Sequence, residues 1–177
     1  MKKPFFIILI YFTFNLSFSQ GSFVPGYLIR LAGDTIEGEI KINPKKMHEV
    51  YTKLIYKGDR GTQETYKPDE VKGYGFKDNN FVTNKLNEEF FFYKVLCNGK
   101  IMFYEVMYAE AFNKDKFTSD YYISKKGDVL FERAKQGKIK KQLSDYMKTN
   151  PAALDGFDDS KFDAAKVIAV IDKFNKM

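Results

Sequence analysis

The sequence is poor in the residues that build cross-links and metal sites: it contains one cysteine, Cys97, one histidine, His48, and no tryptophan. A single cysteine excludes an internal disulfide, so stability depends on the apolar core. A single histidine, with no cluster of cysteines or carboxylates at ligand spacing, gives no basis for a metal site. We therefore expect no metal and no cofactor. We interpret Cys97 as a packing residue at a strand end and His48 as an ordinary surface residue.

Motifs of catalysis are also missing from the sequence. A Ser-His-Asp or Cys-His arrangement would depend on His48, and no Gly-x-Ser-x-Gly sequence presents a serine. Gly73-Tyr74-Gly75 lacks the third glycine of a dinucleotide-binding motif and the lysine of a P-loop, so it is better explained as a strand bent by glycines. Carboxylate pairs such as Glu88-Glu89 lie in predicted links between strands. We expect no catalytic residue.

Arginine is scarce, with only Arg30, Arg60 and Arg133, although the formal net charge is +6. Lysine supplies the other basic side chains, and it does not form the planar, bidentate contacts by which arginine recognises phosphates. The charge pattern favours a solvated surface of Lys, Glu and Asp. It predicts no nucleic-acid partner.

The longest apolar run lies at the N-terminus. Lys2-Lys3 precede the apolar segment Phe5 to Phe14, and Ser17-Phe18-Ser19 supplies small residues before Gln20, an order typical of a cleavable signal peptide. Such a run is too short to cross the roughly 30 Å hydrocarbon core of a bilayer. We predict that residues 1–19 are a cleaved signal peptide. Residues 20–177 are then an exported single domain in the periplasm or at the cell surface, without a transmembrane span.

The stretch from Phe90 to Tyr108 carries the strongest hairpin signal, because two aromatic-rich segments flank Asn98-Gly99. A two-residue type I′ turn would place Tyr93 opposite Tyr104, on a face free of charge, and Lys94 and Glu105 on the other face. Since both faces are largely apolar, both must be covered, and we expect this hairpin at the centre of the fold. The uncharged face should point into the interior of the sheet. The face with Lys94 and Glu105 should lie under C-terminal helices.

Shorter apolar runs with turn signals about every eight to twelve residues predict further strands. The first hairpin runs from Gly26 to Ile42 and is predicted to turn at Gly33-Asp34. A two-residue turn there places Tyr27, Ile29 and Leu31 on the apolar face, with Leu28 on the wet face. Pro68-Asp69-Glu70 is predicted to form a single helical turn, because proline fits the first helical position.

After residue 134 the apolar period changes to that of a helix. Ile139, Leu143, Tyr146 and Met147 form one stripe of a helix predicted over residues 134–148. Ser160 is predicted to cap a last helix over residues 161–175. The expected fold class is therefore α+β, mainly β. An antiparallel curved sheet or incomplete barrel of about nine or ten short strands is followed by two C-terminal helices, in a helical segment over residues 134–177.

Aromatic side chains are the remaining candidates for a ligand site, since they can line a cavity or stack on sugar rings. The candidate ligand-binding residues are Phe90, Phe92, Phe103, Tyr121 and Tyr122. We expect an exported, non-catalytic module that binds an envelope component or a protein partner. A carrier that encloses a small apolar ligand in the curved sheet is the alternative, and a hydrolase is the third possibility. A large aromatic cavity would favour the carrier, three convergent polar side chains in a cleft the hydrolase, and a filled interior with an exposed aromatic patch the binding module.

Two sequence motifs resemble those of a known group of proteins. They are Gly33-Asp34-Thr35-Ile36-Glu37-Gly38 and Pro68-Asp69-Glu70-Val71-Lys72-Gly73-Tyr74-Gly75-Phe76, accompanied by the Tyr121-Tyr122-Ile123 strand. Together they resemble small exported proteins of unknown function that are common in Bacteroidetes, and Ser19-Gln20 resembles the signal cleavage site of that phylum. The resemblance implies an envelope location and a single domain. It brings no known activity, ligand or functional residue.

Overall fold

The computed structural model describes residues 21–86, 88–110, 113–129 and 131–177, so the predicted signal peptide, residues 1–19, lies outside the described residues. Within these ranges ten strands form one antiparallel sheet. They are β1 (Ser22–Arg30), β2 (Thr35–Ile42), β3 (Leu54–Lys57), β4 (Gln63–Tyr66), β5 (Val71–Phe76), β6 (Asn79–Leu86), β7 (Glu89–Cys97), β8 (Ile101–Glu110), β9 (Asn113–Lys125) and β10 (Glu132–Arg133).

The strand order is β10-β9-β8-β7-β6-β5-β1-β2-β3-β4. Consecutive strands are neighbours in the sheet, except β4 and β5, which are separated because β1 pairs with both β2 and β5. The sheet is open, with β10 and β4 at its two edges. With the helices that follow it, this architecture confirms the predicted fold class, α+β and mainly β.

Two α-helices lie in the described C-terminal part, α1 (Ile139–Tyr146) and α2 (Ala164–Lys176), and 3-10 turns span Pro44–Tyr51, Pro68–Glu70 and Pro151–Leu154. The predicted apolar stripe of α1 is confirmed, since Ile139, Leu143 and Met147 are fully buried. Helix α1 begins later than predicted, because Gly137 has a φ of 70° and interrupts helical geometry just before it. Asp163, and not Ser160, caps α2 through its carboxylate, which accepts hydrogen bonds from the N–H groups of residues 165 and 166.

No helix in the described ranges has both the length and the apolar character needed to cross a membrane.

The Pro44–Tyr51 segment shows how strongly the sheet curls. It connects β2 to β3, yet it contacts β7 and β8, which lie several strands away in the sheet. Tyr51 donates a hydrogen bond of 2.9 Å to the Glu105 carboxylate on β8, and the Tyr74 hydroxyl on β5 donates to the carbonyl of Val50. We call the sheet face covered by this segment and by the helices the inner face, and the opposite face the outer face.

The central hairpin is formed by β7 and β8, but its predicted register is wrong by two residues. Tyr104 pairs with Val95 instead of Tyr93, and an irregularity follows between Val95 and Cys97. Neither Asn98 nor Gly99 has the positive φ that a type I′ turn needs. The reason lies in α2: the Asn175 amide accepts from the N–H of Ile101 and donates to its carbonyl, both at 2.9 Å. A distant side chain therefore shapes this loop.

A shift of two residues keeps each side chain of the hairpin on its predicted face. Glu105 and Phe103 lie on the inner face, Phe103 under the helices as expected. The expectation for the uncharged face is wrong in one respect. Tyr93 and Tyr104 do not point into the interior of the sheet but lie on the outer face, where the ring of Phe131 contacts both.

The predicted register of the first hairpin is wrong by an odd number of residues, so the faces of β1 are exchanged, while Ile36 and Ile40 of β2 lie on the core side as predicted. Leu28 pairs with Ile36 and is 1% exposed, whereas Leu31 lies in the turn and is 57% exposed. The turn is longer than two residues because Arg30 and Asp34 close it. The N–H of Arg30 donates to the carbonyl of Asp34 at 2.9 Å, and the two side chains form a salt bridge.

Candidate functional site

The five aromatic candidates do not form one site. Phe92 and Phe103 are fully buried: Phe92 packs edge-on against Tyr74 and Phe103 stacks on Tyr121, so neither offers a surface to a ligand. Phe90 is exposed on the inner face, with the Lys85 ammonium 5.1 Å from its ring centroid. Of the five, Tyr122 lines a cleft on the outer face.

This outer cleft has a volume of about 640 Å³, within the usual range of ligand sites. Its aromatic lining consists of Phe91, Tyr108, Tyr122 and Phe131, and its charged lining of Glu89, Asp120 and Arg133. The cleft lies between the start of β7, the end of β8, the middle of β9 and the segment that returns to the sheet as β10. We refer to these residues as the outer cleft below.

Strand pairing places these side chains together. Tyr104 on β8 lies opposite Tyr122 on β9, which in turn lies opposite Arg133 on β10. Residues directly opposite each other share a sheet face, and so do alternate residues of one strand. Asp120, two residues before Tyr122, is therefore also on the outer face, beside the predicted candidate.

Asp120 is the polar centre of the cleft. Its carboxylate accepts a hydrogen bond of 2.7 Å from the Tyr108 hydroxyl and one of 2.5 Å from the Arg133 guanidinium. The Asp120 side chain is 13% exposed and that of Arg133 is 56% exposed, so the guanidinium keeps donors that face solvent. The arrangement fixes the direction of Arg133 while leaving part of it free to bind.

Burial, and next the hydrogen bond to Asp120, raise the pKa of Tyr108 to about 12. Tyr108 therefore keeps its proton at neutral pH and acts as a donor. The two oxygens of Asp120 accept hydrogen bonds from different side chains, Tyr108 and Arg133, so this carboxylate orients both of them in the cleft.

Phe131 gives the cleft a rigid aromatic platform. Its ring stacks on Tyr104 at a centroid distance of 4.1 Å and an interplanar angle of 11°. It also meets Tyr93 edge-on at 5.4 Å, and the carbonyl of Val129, two residues earlier, accepts a hydrogen bond from Asn84. Because Tyr104 covers one ring face, Phe131 can present only its other face or its edge to the cleft.

Three other features of the described residues are explained by packing or by pairing of opposite charges. Burial raises the pKa of the Cys97 thiol to about 12, in agreement with a packing role. His48 stacks on Phe117 at 3.8 Å, a contact that its position in a polar connection did not predict. A smaller cleft of about 360 Å³ is lined by Lys41, Lys46 and Lys53, but Glu49 forms salt bridges with two of these lysines.

The motif residues behind the family resemblance are structural. A Cβ on Gly75 would lie 2.5 Å from the Tyr27 ring, so only glycine fits under that ring. The Glu70 carboxylate accepts a hydrogen bond of 2.7 Å from the N–H of Lys67 and closes the predicted turn. Within the described residues, no group of three or more His, Cys, Asp and Glu side chains is placed to hold a metal ion.

Sequence reasoning missed most of the outer cleft. Asp120 and Tyr122 alternate on one strand, and this period of two was the available sign that they share a face. Nothing local indicated that Phe131 and Arg133 return to the same face, because a two-residue strand carries no periodicity.

Comparison of the chain with protein-family models, with curated proteins and with solved structures gives no significant match.

Proposed function

We propose that the protein is an exported, non-catalytic binding module that contacts an envelope component or a protein partner through the outer cleft. The observation that carries this proposal is the cleft itself. An aromatic platform and an oriented guanidinium lie side by side on the outer face, while the Pro44–Tyr51 segment and the helices cover the inner face. The proposed export rests on the order of basic, apolar and small residues in the first 19 residues.

Packing of the inner face supports a binding module over a carrier. Tyr74 stacks on Phe81 at 4.7 Å and meets Phe92 at 4.8 Å, so the aromatic rings there fill space with one another. A carrier would need that space for its ligand. The outer cleft, by contrast, is open and holds polar groups.

One observation favours a hydrolase as a second candidate function. Tyr108, Asp120 and Arg133 converge in the outer cleft, and Glu89 lies in the same lining as a second carboxylate; glycoside hydrolysis uses two carboxyl groups. Incubation of the protein with neutral trisaccharides, followed by chromatography, separates the two. A binding module leaves the sugars intact, whereas a hydrolase releases shorter products and loses this activity in Glu89→Gln and Asp120→Asn.

Retention of envelope components tests the first proposal. The wild-type protein, Phe131→Ala and Phe90→Ala are immobilised, exposed to solubilised envelope of the source cells, and eluted for mass spectrometry. We expect a component that wild type and Phe90→Ala retain and Phe131→Ala loses. Equal retention by all three would overturn the role of the cleft. Native mass spectrometry of the freshly purified protein is the companion measurement, since a co-purifying small apolar molecule would favour the carrier.

A further inference from the structure

Building on the proposed function, we propose that the ligand of the outer cleft is a neutral sugar ring, stacked on Phe131 and hydrogen-bonded to Arg133 and Glu89. The observations behind this proposal are the charge of the lining, the support of the aromatic platform, and the position of hydrogen-bonding groups beside it.

The charges of the lining disfavour anions and attract cations only weakly. The two carboxylates, Glu89 and Asp120, outnumber the one guanidinium, Arg133, so the lining repels an anion. The Asp120 carboxylate is already paired with Arg133 at 2.5 Å, and Glu89 is exposed, so solvent screens its attraction for a cation. A neutral ligand that carries many hydroxyl groups needs no ionic partner and can use both kinds of hydrogen-bonding group.

The aromatic platform fits the apolar side of such a ligand. A sugar ring exposes C–H groups on one face, and an aromatic ring buries that face without losing a hydrogen bond. Phe131 is held by Tyr104, which stacks on one of its faces, and by Tyr93, whose ring is nearly perpendicular to it at 5.4 Å. A ligand that stacks on it therefore does not need to order the platform, which reduces the entropic cost of binding.

Polar groups complete the match at the rim of the platform. Arg133, two residues from Phe131, keeps exposed N–H donors, and the exposed Glu89 carboxylate supplies acceptors. Hydroxyl groups both donate and accept, so one sugar ring can satisfy Arg133 and Glu89 together. The cleft volume of about 640 Å³ leaves room for a short oligosaccharide.

Titrations followed by amide NMR test the proposal. The neutral probes are maltotriose, cellotriose, mannotriose and tri-N-acetylchitotriose; the charged probes are trigalacturonate and the glucosamine trimer. We expect saturable shifts at Phe91, Tyr122 and Arg133 with at least one neutral probe, and weaker binding of both charged probes. Tighter binding of a charged trisaccharide, or no saturable shift with any neutral one, would overturn the proposal.

Variants separate stacking from folding. Phe131→Ala should weaken the neutral sugar by roughly tenfold, and Arg133→Lys, which keeps the charge but removes the planar fork, by roughly threefold to tenfold. Phe90→Ala, an exposed aromatic on the inner face, should bind as wild type does. Arg133→Lys provides the readout if Phe131→Ala is unfolded. Sugar binding that neither cleft variant weakens would overturn the proposed contacts.

Failure of the sugar proposal and failure of the proposed binding function give different experimental results. If neutral sugars fail but envelope components still depend on Phe131, the sugar assignment is wrong and the binding module stands. If both fail, the outer cleft is not a binding site.

Discussion

Burial, more than any neighbouring charge, determines the chemistry of Cys97. The side chain is 2% exposed beneath α2, and desolvation, followed by the carboxylate of Asp172, raises the thiol pKa to about 12. Thiolate is the reactive form, so almost none is present at neutral pH. The same reasoning applies to Tyr108, whose raised pKa makes it a permanent donor to Asp120.

Alkylation of Cys97 by iodoacetamide at about pH 8 should be more than about a hundredfold slower in the native protein than in concentrated urea. The native rate should rise with pH up to about 12, because the folded state holds the thiol proton until then. For the same reason, the stabilisation that the protonated thiol contributes is present below its unfolded pKa of 9.0 and is lost as pH rises toward 12. Rapid alkylation under native conditions at about pH 8 would show that the thiol is accessible.

At the scale of elements, strands and helices were predictable because periodicity is a local property. The motif Pro68-Asp69-Glu70 formed its turn, and the stripe of α1 is buried, because the residues that decide each feature are close in sequence. Both hairpin registers were mispredicted because other contacts decide them. Arg30 and Asp34 lengthen the first turn, and Asn175, 74 residues beyond Ile101, shapes the loop between β7 and β8.

The exchanged faces of β1 lead to a matched pair of variants. Leu28→Ala should cost about 3 kcal/mol of the free energy of unfolding, because Leu28 is 1% exposed and its removal leaves a cavity. Leu31→Ala should cost less than about 0.5 kcal/mol, since Leu31 lies exposed in the turn. Urea denaturation measures both. The predicted two-residue turn would require the reverse order, so a larger loss for Leu31→Ala would contradict the observed register.

The side chain of Asn175 ties α2 to the central hairpin. Asn175→Ala leaves the N–H and the carbonyl of Ile101 without their partners, and we expect a loss of about 2 kcal/mol in the free energy of unfolding. Asn98→Ala, in the exposed loop itself, serves as the control and should change stability by less than about 0.5 kcal/mol. Equal effects of the two variants would mean that local turn preference holds the loop after all.

At the scale of the whole molecule, a central hairpin covered on both sides organises the chain. Its inner face lies under the Pro44–Tyr51 segment and the helices, and its outer face under Phe131. Phe131 does not cover the whole outer face, and the outer cleft lies beside this residue. Sequence reasoning identified Tyr122 but not Asp120 or Arg133, because the return of β10 to this face depends on tertiary pairing.

The proposed export concerns the whole molecule, because it removes the first 19 residues from the mature chain. Mass spectrometry of the protein from the envelope of its source cells should find a chain that begins at Gln20, because cleavage is predicted after Ser19. A chain that keeps Met1 and the apolar segment would contradict the predicted signal peptide.

Site-specific photo-cross-linking tests the central claim, that the outer cleft is the binding surface. Phe91 and Phe90 are adjacent on β7 but lie on opposite faces, so benzoylphenylalanine at each position samples one face with the same chemistry. After irradiation in the envelope of the source cells, we expect an adduct of defined mass from position 91 and none from position 90. An adduct from position 90 alone, or equal adducts from both positions, would contradict the claim.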